Sequence, residues 1–306
     1  MKNNNFKIMY IPKSKGYRKI ITYKDNDVEI RRYHIDISKF IYNNTLPSKF
    51  SKAYIKKRSI ITNAKAHMYN DVFLYFDIKD FFQNINHNKL IDLLYHEINK
   101  GSKIKTSKID CNNIVKSCAV SGKGLGVGLI PSPLLSNMYL KEFDNILYGK
   151  LKKMDLPNVI YTRYADDMVI SFKYIESYDM SEVKNLIGIL LRRYGLKLND
   201  KKVKIINLNK SNHVRITGIN LCKDENNNRR LTVGRKRKNE LYYKAIETIS
   251  KPAKDREDIQ IKKIKGLQSF VLSIEGEMYE NTYSQNMISI INNYGFKNLK
   301  SLIDNL

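Results

Sequence analysis

Apolar residues follow two rhythms along this chain. Val72–Phe76 is a continuous apolar run that ends on Asp77, the pattern of a buried central strand. Val159–Tyr164 and Met168–Phe172 are a second pair of apolar stretches, and they bracket Ala165-Asp166-Asp167 as the arms of a hairpin bracket its tip. Ser132-Pro133 predicts a helix N-cap followed by proline at the first helical position. Leu134, Leu135, Met138, Tyr139, Phe143, Ile146 and Leu147 then recur on one face. Ser181 predicts the cap of another helix, whose apolar residues Val183, Leu186, Ile187, Leu190 and Leu191 lead to a stop at Gly195. Strands at Val203–Leu208 and Val214–Leu221 complete the order strand, helix, hairpin, helix, strand. That is the split βαβ arrangement of ferredoxin-like sheets, with helices on one face and the other face free for a ligand. From about Lys223 the chain turns polar and basic, then gives helical patterns at 238–250, 259–275 and 283–303, which predicts a separate helical lobe.

Composition sharpens this outline. The chain has 306 residues, 42% of them hydrophobic, enough for two or three packed lobes and against global disorder. Its 55 Lys and Arg against 30 Asp and Glu leave a formal charge of +25, which points to a polyanionic partner, nucleic acid first. No 18-residue apolar run exists and Met1–Ile11 is too polar for a signal peptide, so no membrane partner and a cytoplasmic location are expected. Cys111, Cys118 and Cys222 make no CxxC pair and leave an odd thiol. They are read as reduced residues, not as a disulfide framework or zinc cluster.

The predicted sheet brings three carboxylates together: Asp77 at a strand end, and Asp166 and Asp167 at a hairpin tip. Clustered like charges raise one another's pKa unless a cation neutralises them, and carboxylate oxygens suit magnesium. Two such ions about 4 Å apart would activate a hydroxyl and stabilise a leaving pyrophosphate in nucleotidyl transfer. An isolated Asp-Asp pair is more often a simple turn. The surrounding sequence decides against that.

Phe76-Asp77-Ile78-Lys79-Asp80-Phe81-Phe82 and Tyr164-Ala165-Asp166-Asp167, the latter preceded by Tyr161-Thr162-Arg163, occur in order with Asn63-Ala64-Lys65-Ala66-His67 upstream and Ile216-Thr217-Gly218 downstream. Together they resemble the motifs of bacterial retron-type reverse transcriptases over roughly residues 10–275. The resemblance implies an α+β right-hand polymerase: fingers at 1–70, a ferredoxin-like split βαβ palm at 71–222, and a helical basic thumb at 223–306. It further implies RNA-directed DNA synthesis from deoxynucleotide triphosphates with two magnesium ions on Asp77, Asp166 and Asp167. The template would be a dedicated structured noncoding RNA, which serves also as primer where one of its 2′-hydroxyls starts synthesis. The DNA product would belong to antiphage defence with an effector protein.

Individual roles follow from the same resemblance. Phe82 matches the gate that rejects a ribose 2′-hydroxyl, and Tyr164 the support of the primer end. Arg18 and Lys19, in the stretch from Tyr10 through Lys13 to Ile21, match the fingers residues that hold the triphosphate. Lys202, next to Lys201 in Gly195–Lys202, matches the acid that protonates departing pyrophosphate. His67 is expected to be structural. Leu125–Pro133 departs from the family pattern: Val127 stands where a glutamine usually touches the nucleotide, while Gly128 still permits close backbone approach. Val127 keeps open untemplated or protein-primed nucleotide addition, as in other defence-associated relatives. A catalytically idle RNA-binding scaffold is a further alternative, disfavoured by the three aspartates. From composition alone, Arg235, Lys236, Arg237 and Lys238 are expected to grip RNA phosphates.

Overall fold

The computed structural model describes residues 6–12, 16–24, 27–101, 105–119, 122–176 and 179–306. Lys13, in the stretch expected to hold the triphosphate, lies outside the described residues. The chain divides into two compact units, one of Met1–Asn63 with Asn70–Asn207, the other of Ala64–Tyr69 with Leu208–Leu306.

In the first unit, β1 (Phe6–Pro12) and β2 (Tyr17–Tyr23) form a hairpin, followed by α1 (Val28–Asn44) and α2 (Ile60–Ala66), whose end belongs to the second unit. Then come β3 (Val72–Asp77), α3 (His87–Gly101), α4 (Lys108–Ser117), α5 (Ser132–Tyr139), α6 (Lys141–Leu151), β4 (Ile160–Tyr164), β5 (Asp167–Phe172), α7 (Met180–Arg192) and β6 (Lys204–Asn207). The sheet order is β4-β5-β3-β6 and every pairing is antiparallel, the expected split βαβ arrangement. Side chains alternate across a strand. Val72, Leu74 and Phe76 on β3 and Met168, Ile170 and Phe172 on β5 enter the large core, so Asp77 and Asp167 fall on the opposite face.

Local chemistry moves some element ends. The expected long helix from Ser132 breaks at Leu140, and its N-cap position is Pro131, with Ser132 already helical. Asp179, not Ser181, caps α7: its carboxylate accepts from the backbone N–H of Ser181 and Glu182.

The second unit contains β7 (His213–Ile216), β8 (Ile219–Lys223), β9 (Arg229–Thr232), α8 (Arg235–Ile249), α9 (Asp258–Glu275), α10 (Gln285–Asn293) and α11 (Leu299–Asp304). The expected single strand Val214–Leu221 is two strands, because Thr217 and Gly218 take φ of 46° and 89° and reverse the chain. These strands pair with β9 in a separate three-stranded sheet instead of extending β6, which is why the chain divides at 207/208 and not at 222/223. Likewise the expected helix 283–303 is two helices, interrupted where Gly295 takes φ 82°. The unit has its own core, including Leu241, Tyr242, Ile264, Val271, Tyr279 and Leu302. No helix among the described residues is long and apolar enough to cross a membrane.

Lys238 corrects a sequence expectation. It lies on the inward face of α8 at 7% exposure, and its ammonium donates to Glu275 at 3.0 Å and to Thr282 Oγ1 at 2.8 Å. Glu275 also accepts from Thr232 Oγ1 and the Val233 N–H, so the pair staples α8, α9 and the end of β9. A basic run read along the sequence ignores helical rotation, which turns one of four consecutive residues inward. Lys238→Gln leaves Glu275 buried without its counter-charge and should destabilise the protein by about 2–4 kcal/mol. Chemical unfolding should show a lower midpoint with unchanged slope. An unaltered midpoint together with weakened RNA affinity would return Lys238 to the RNA-binding surface.

Candidate active site

Cross-strand register builds the site. Asp77 at the end of β3 pairs with Asp167 at the start of β5, and the Ile78 N–H donates to the Asp166 carbonyl at 3.1 Å. Ala165, at φ 58°, makes the tight tip between β4 and β5. Behind Asp77 runs the segment after α7: the Asn199 N–H donates to the Asp77 carbonyl at 2.8 Å and the Lys79 N–H to the Lys197 carbonyl at 2.9 Å. Asn199 Nδ2 then donates to Asp77 Oδ1 at 3.0 Å and Lys202 Nζ to Asp77 Oδ2 at 2.6 Å. The motif chain order thus becomes one constellation through backbone pairing.

Electrostatics follow from this packing. Burial raises the Asp166 carboxyl above its ordinary range and the charge of Asp77 adds to it, against the opposing charges of Lys202 and Arg18. Asp167 is pushed up to about 6, first by burial and then by Asp166 and Asp77. The bond to Asp77 raises the Lys202 ammonium, whose side chain is 59% exposed against 5% for Asp77. The charge of Asp77 bears on both Asp166 and Asp167, and carboxylates grouped in this way suit a hard divalent cation as donors. Among the described residues, however, no group of three acidic, histidine or cysteine side chains converges closely enough to hold a metal ion. Here the two oxygens of Asp77 are engaged by Asn199 and Lys202.

The β1–β2 hairpin contributes unequally. Arg18, exposed on β2, is near enough for its charge to act on Asp166. Lys19 is the next residue on the strand and therefore faces the other side of the hairpin, so the structure does not bring it to Asp166 beside Arg18. Phe81 is buried in the core at 2% exposure, whereas Phe82 is half-buried with its ring edge-on to Phe81, centroids 5.5 Å apart. Tyr164, also half-buried, pairs with Asp167. His67 is fully buried, as a structural histidine would be.

Val127 and Gly128 have neighbours that the sequence did not disclose. The Val127 carbonyl accepts from the Ile21 N–H at 2.7 Å, and a Cβ on Gly128 would lie 2.4 Å from the Ile21 carbonyl oxygen. The close approach at Gly128 is therefore to strand β2 of this protein. The site also gathers residues given no role in advance. Asn199, inside Gly195–Lys202, is one of them. Tyr54, a 46%-exposed aromatic at φ 61°, has its hydroxyl pKa raised by burial first and then by the charges of Asp166 and Tyr164. Its αL backbone leaves no signature in sequence when the residue is not glycine.

In the second unit Arg235 and Lys236 are exposed on α8. Arg237 is turned onto its own unit, over the Phe270 ring at 5.1 Å and 3.5 Å from the Gly218 carbonyl. Of the four expected phosphate-gripping charges, two face solvent.

Residues 11–221 match the family described as reverse transcriptase (RNA-dependent DNA polymerase). The chain is 31% identical over 227 residues to the retron Ec73 reverse transcriptase of Escherichia coli, covering 70% of this chain and 68% of that protein. It is 27% identical over 301 residues to the retron Ec83 reverse transcriptase of Escherichia coli, covering 95% of this chain and 90% of that protein. Telomerase from Candida albicans, solved with a TWJ fragment of telomeric RNA, superposes with a TM-score of 0.51 at 12% identity. That match covers 94% of this chain and 59% of the telomerase chain, and it is a likeness of fold. Family match, relatives and the carboxylate hairpin agree: this chain belongs to the reverse transcriptases, the RNA-dependent DNA polymerases, of retron type, with the right-hand polymerase fold.

Proposed function

We propose that the protein copies a dedicated structured noncoding RNA into DNA by two-metal nucleotidyl transfer, in the cytoplasm and in the service of antiphage defence with an effector protein. The observation that carries the chemistry is the pairing of Asp77 with Asp167, beside Asp166, on the sheet face outside the core. Asp77, Asp166 and Asp167 would hold the magnesium ions once Lys202 and Asn199 release Asp77. The metal supplies Lewis-acid polarisation of the phosphate and an activated 3′-hydroxyl. Every other task falls to the chain itself. Arg18 holds the triphosphate of the deoxynucleotide, Phe82 blocks a 2′-hydroxyl, and Tyr164 supports the primer end. Lys202, already directed at the carboxylates, hands a proton to the departing pyrophosphate. Arg235 and Lys236 grip RNA phosphates without reading bases.

Fingers, palm and thumb take the limits 1–70, 71–222 and 223–306, with β7 and β8 grouped with the palm by motif order and with the C-terminal unit by packing. A second reading, untemplated or protein-primed addition, is favoured by one feature: Val127 offers no side-chain hydrogen bond to a templated nucleotide, and its carbonyl is committed to Ile21. Extension reactions with and without defined RNA separate the two.

Asp166→Asn should retain co-purifying RNA and a normal unfolding midpoint but lose synthesis by roughly 1,000-fold or more. A lost anionic metal ligand is worth several kcal/mol in the transition state, at tenfold per 1.36 kcal/mol. Magnesium-dependent synthesis by the variant at the wild-type rate would contradict the metal assignment. Phe82→Ala should shift the ratio of ribonucleotide to deoxynucleotide efficiency about tenfold or more toward ribonucleotides, the equivalent of ~1.4 kcal/mol of removed clash. An unchanged ratio in a folded variant would make Phe82 a packing residue only.

A further inference from the structure

Arg163 is fully buried, on the strand that delivers the carboxylate tip. Its guanidinium forks onto Asp144 of α6, also fully buried: Nε donates to Oδ1 and Nη2 to Oδ2, both at 2.8 Å. Asp144 accepts two further bonds, from Ser48 Oγ at 2.6 Å and Tyr161 Oη at 2.7 Å. Such a carboxylate is immobile, and so is the fork bound to it.

The remaining nitrogen, Nη1, donates to the Ala165 carbonyl at 3.1 Å and to Asn137 Oδ1 at 3.2 Å. Asn137 is itself fixed, accepting from Ser51 Oγ at 2.8 Å and donating to the Ala53 carbonyl at 2.7 Å. Backbone bonds join the same pieces, from the Arg163 N–H to the Phe50 carbonyl and from the Lys52 N–H to the Arg163 carbonyl. Ala165 occupies the left-handed region at φ 58°, a costly place for a residue with a Cβ. Its carbonyl is one residue from Asp166. Neutralising Asp144 requires only one positive charge; a planar fork with a spare nitrogen does more, because it can hold a third point rigidly.

We infer that Arg163 is a positioning residue for nucleotidyl transfer: anchored on Asp144, it holds the strained Ala165 carbonyl and so fixes where Asp166 and Asp167 stand. This rests on the reading of Asp166 as a catalytic residue. Arg163→Lys keeps a charge for Asp144 but cannot also span to Ala165. Ala165→Gly removes the backbone strain that the fork restrains.

At saturating RNA, Arg163→Lys should lower kcat about 10- to 100-fold, with RNA affinity and nucleotide KM within about twofold of wild type. Adding Ala165→Gly should restore kcat about tenfold, a rescue that a purely structural role of Arg163 would not give. A wild-type kcat in Arg163→Lys, or a kcat that follows the folded fraction with no recovery from Ala165→Gly, overturns the inference. Should Arg163→Lys not fold, Asp144→Asn keeps the shape and removes the charge that aligns the fork, and it carries the same expectations. Asp166→Asn is the reference. If it polymerises like wild type, the functional reading fails; if it is inactive while Arg163→Lys turns over normally, only the role of Arg163 fails.

Discussion

The antiparallel register between β3 and β5 is the constraint on which the site depends. Pairing runs from Val72 opposite Phe172 to Asp77 opposite Asp167, and it places alternate apolar residues of both strands in one core. A slip of one residue would carry those residues to the opposite face and a carboxylate into the large core, so the apolar packing on one side enforces the position of charge on the other. The hydrophobic effect thereby stabilises a cluster of like charges that would not assemble by itself. Lys202 and Asn199 complete it from the segment that follows α7, tied in by the Ile78–Leu198 bridge.

A second set of contacts holds the β1–β2 hairpin in place. Ile21 donates to the Val127 carbonyl, and Tyr23 joins a buried group in which its hydroxyl is hydrogen-bonded to His34 Nδ1 at 2.7 Å and accepts from the Ile130 N–H at 3.0 Å. Burial pushes the His34 pKa down to about 4, which keeps the ring neutral and able to serve Ser117 on its other nitrogen. These bonds seat β2 on the loop before α5 and bring Arg18 near Asp166. Within Leu125–Pro133, Gly128 makes room for the backbone of Ile21, where a Cβ would lie 2.4 Å from the Ile21 carbonyl oxygen.

Much of the first unit was written in local pattern. The run Val72–Asp77, the hairpin around Asp166 and the apolar face of α7 are periodicities of a few residues, and the motif words supplied their common purpose. What stayed hidden needs partners far apart in sequence or a backbone angle. The Arg163–Asp144 pair joins strand to helix, and nothing in Tyr161-Thr162-Arg163 announces that the arginine is buried. Thr217 at φ 46° divides one apparent strand into two. Lys238 sits in a basic run but on the inward side of its helix, and Lys19 neighbours Arg18 but faces away. Charge counted along a sequence overstates charge available on a surface.

Template dependence tests the central claim most directly. With a primed poly(rA) template and magnesium the protein should incorporate dTTP and reject dGTP, and a poly(rC) template should reverse that choice. Incorporation with the same nucleotide preference on both templates, or without any template, would contradict RNA-directed synthesis and leave the three aspartates serving untemplated addition.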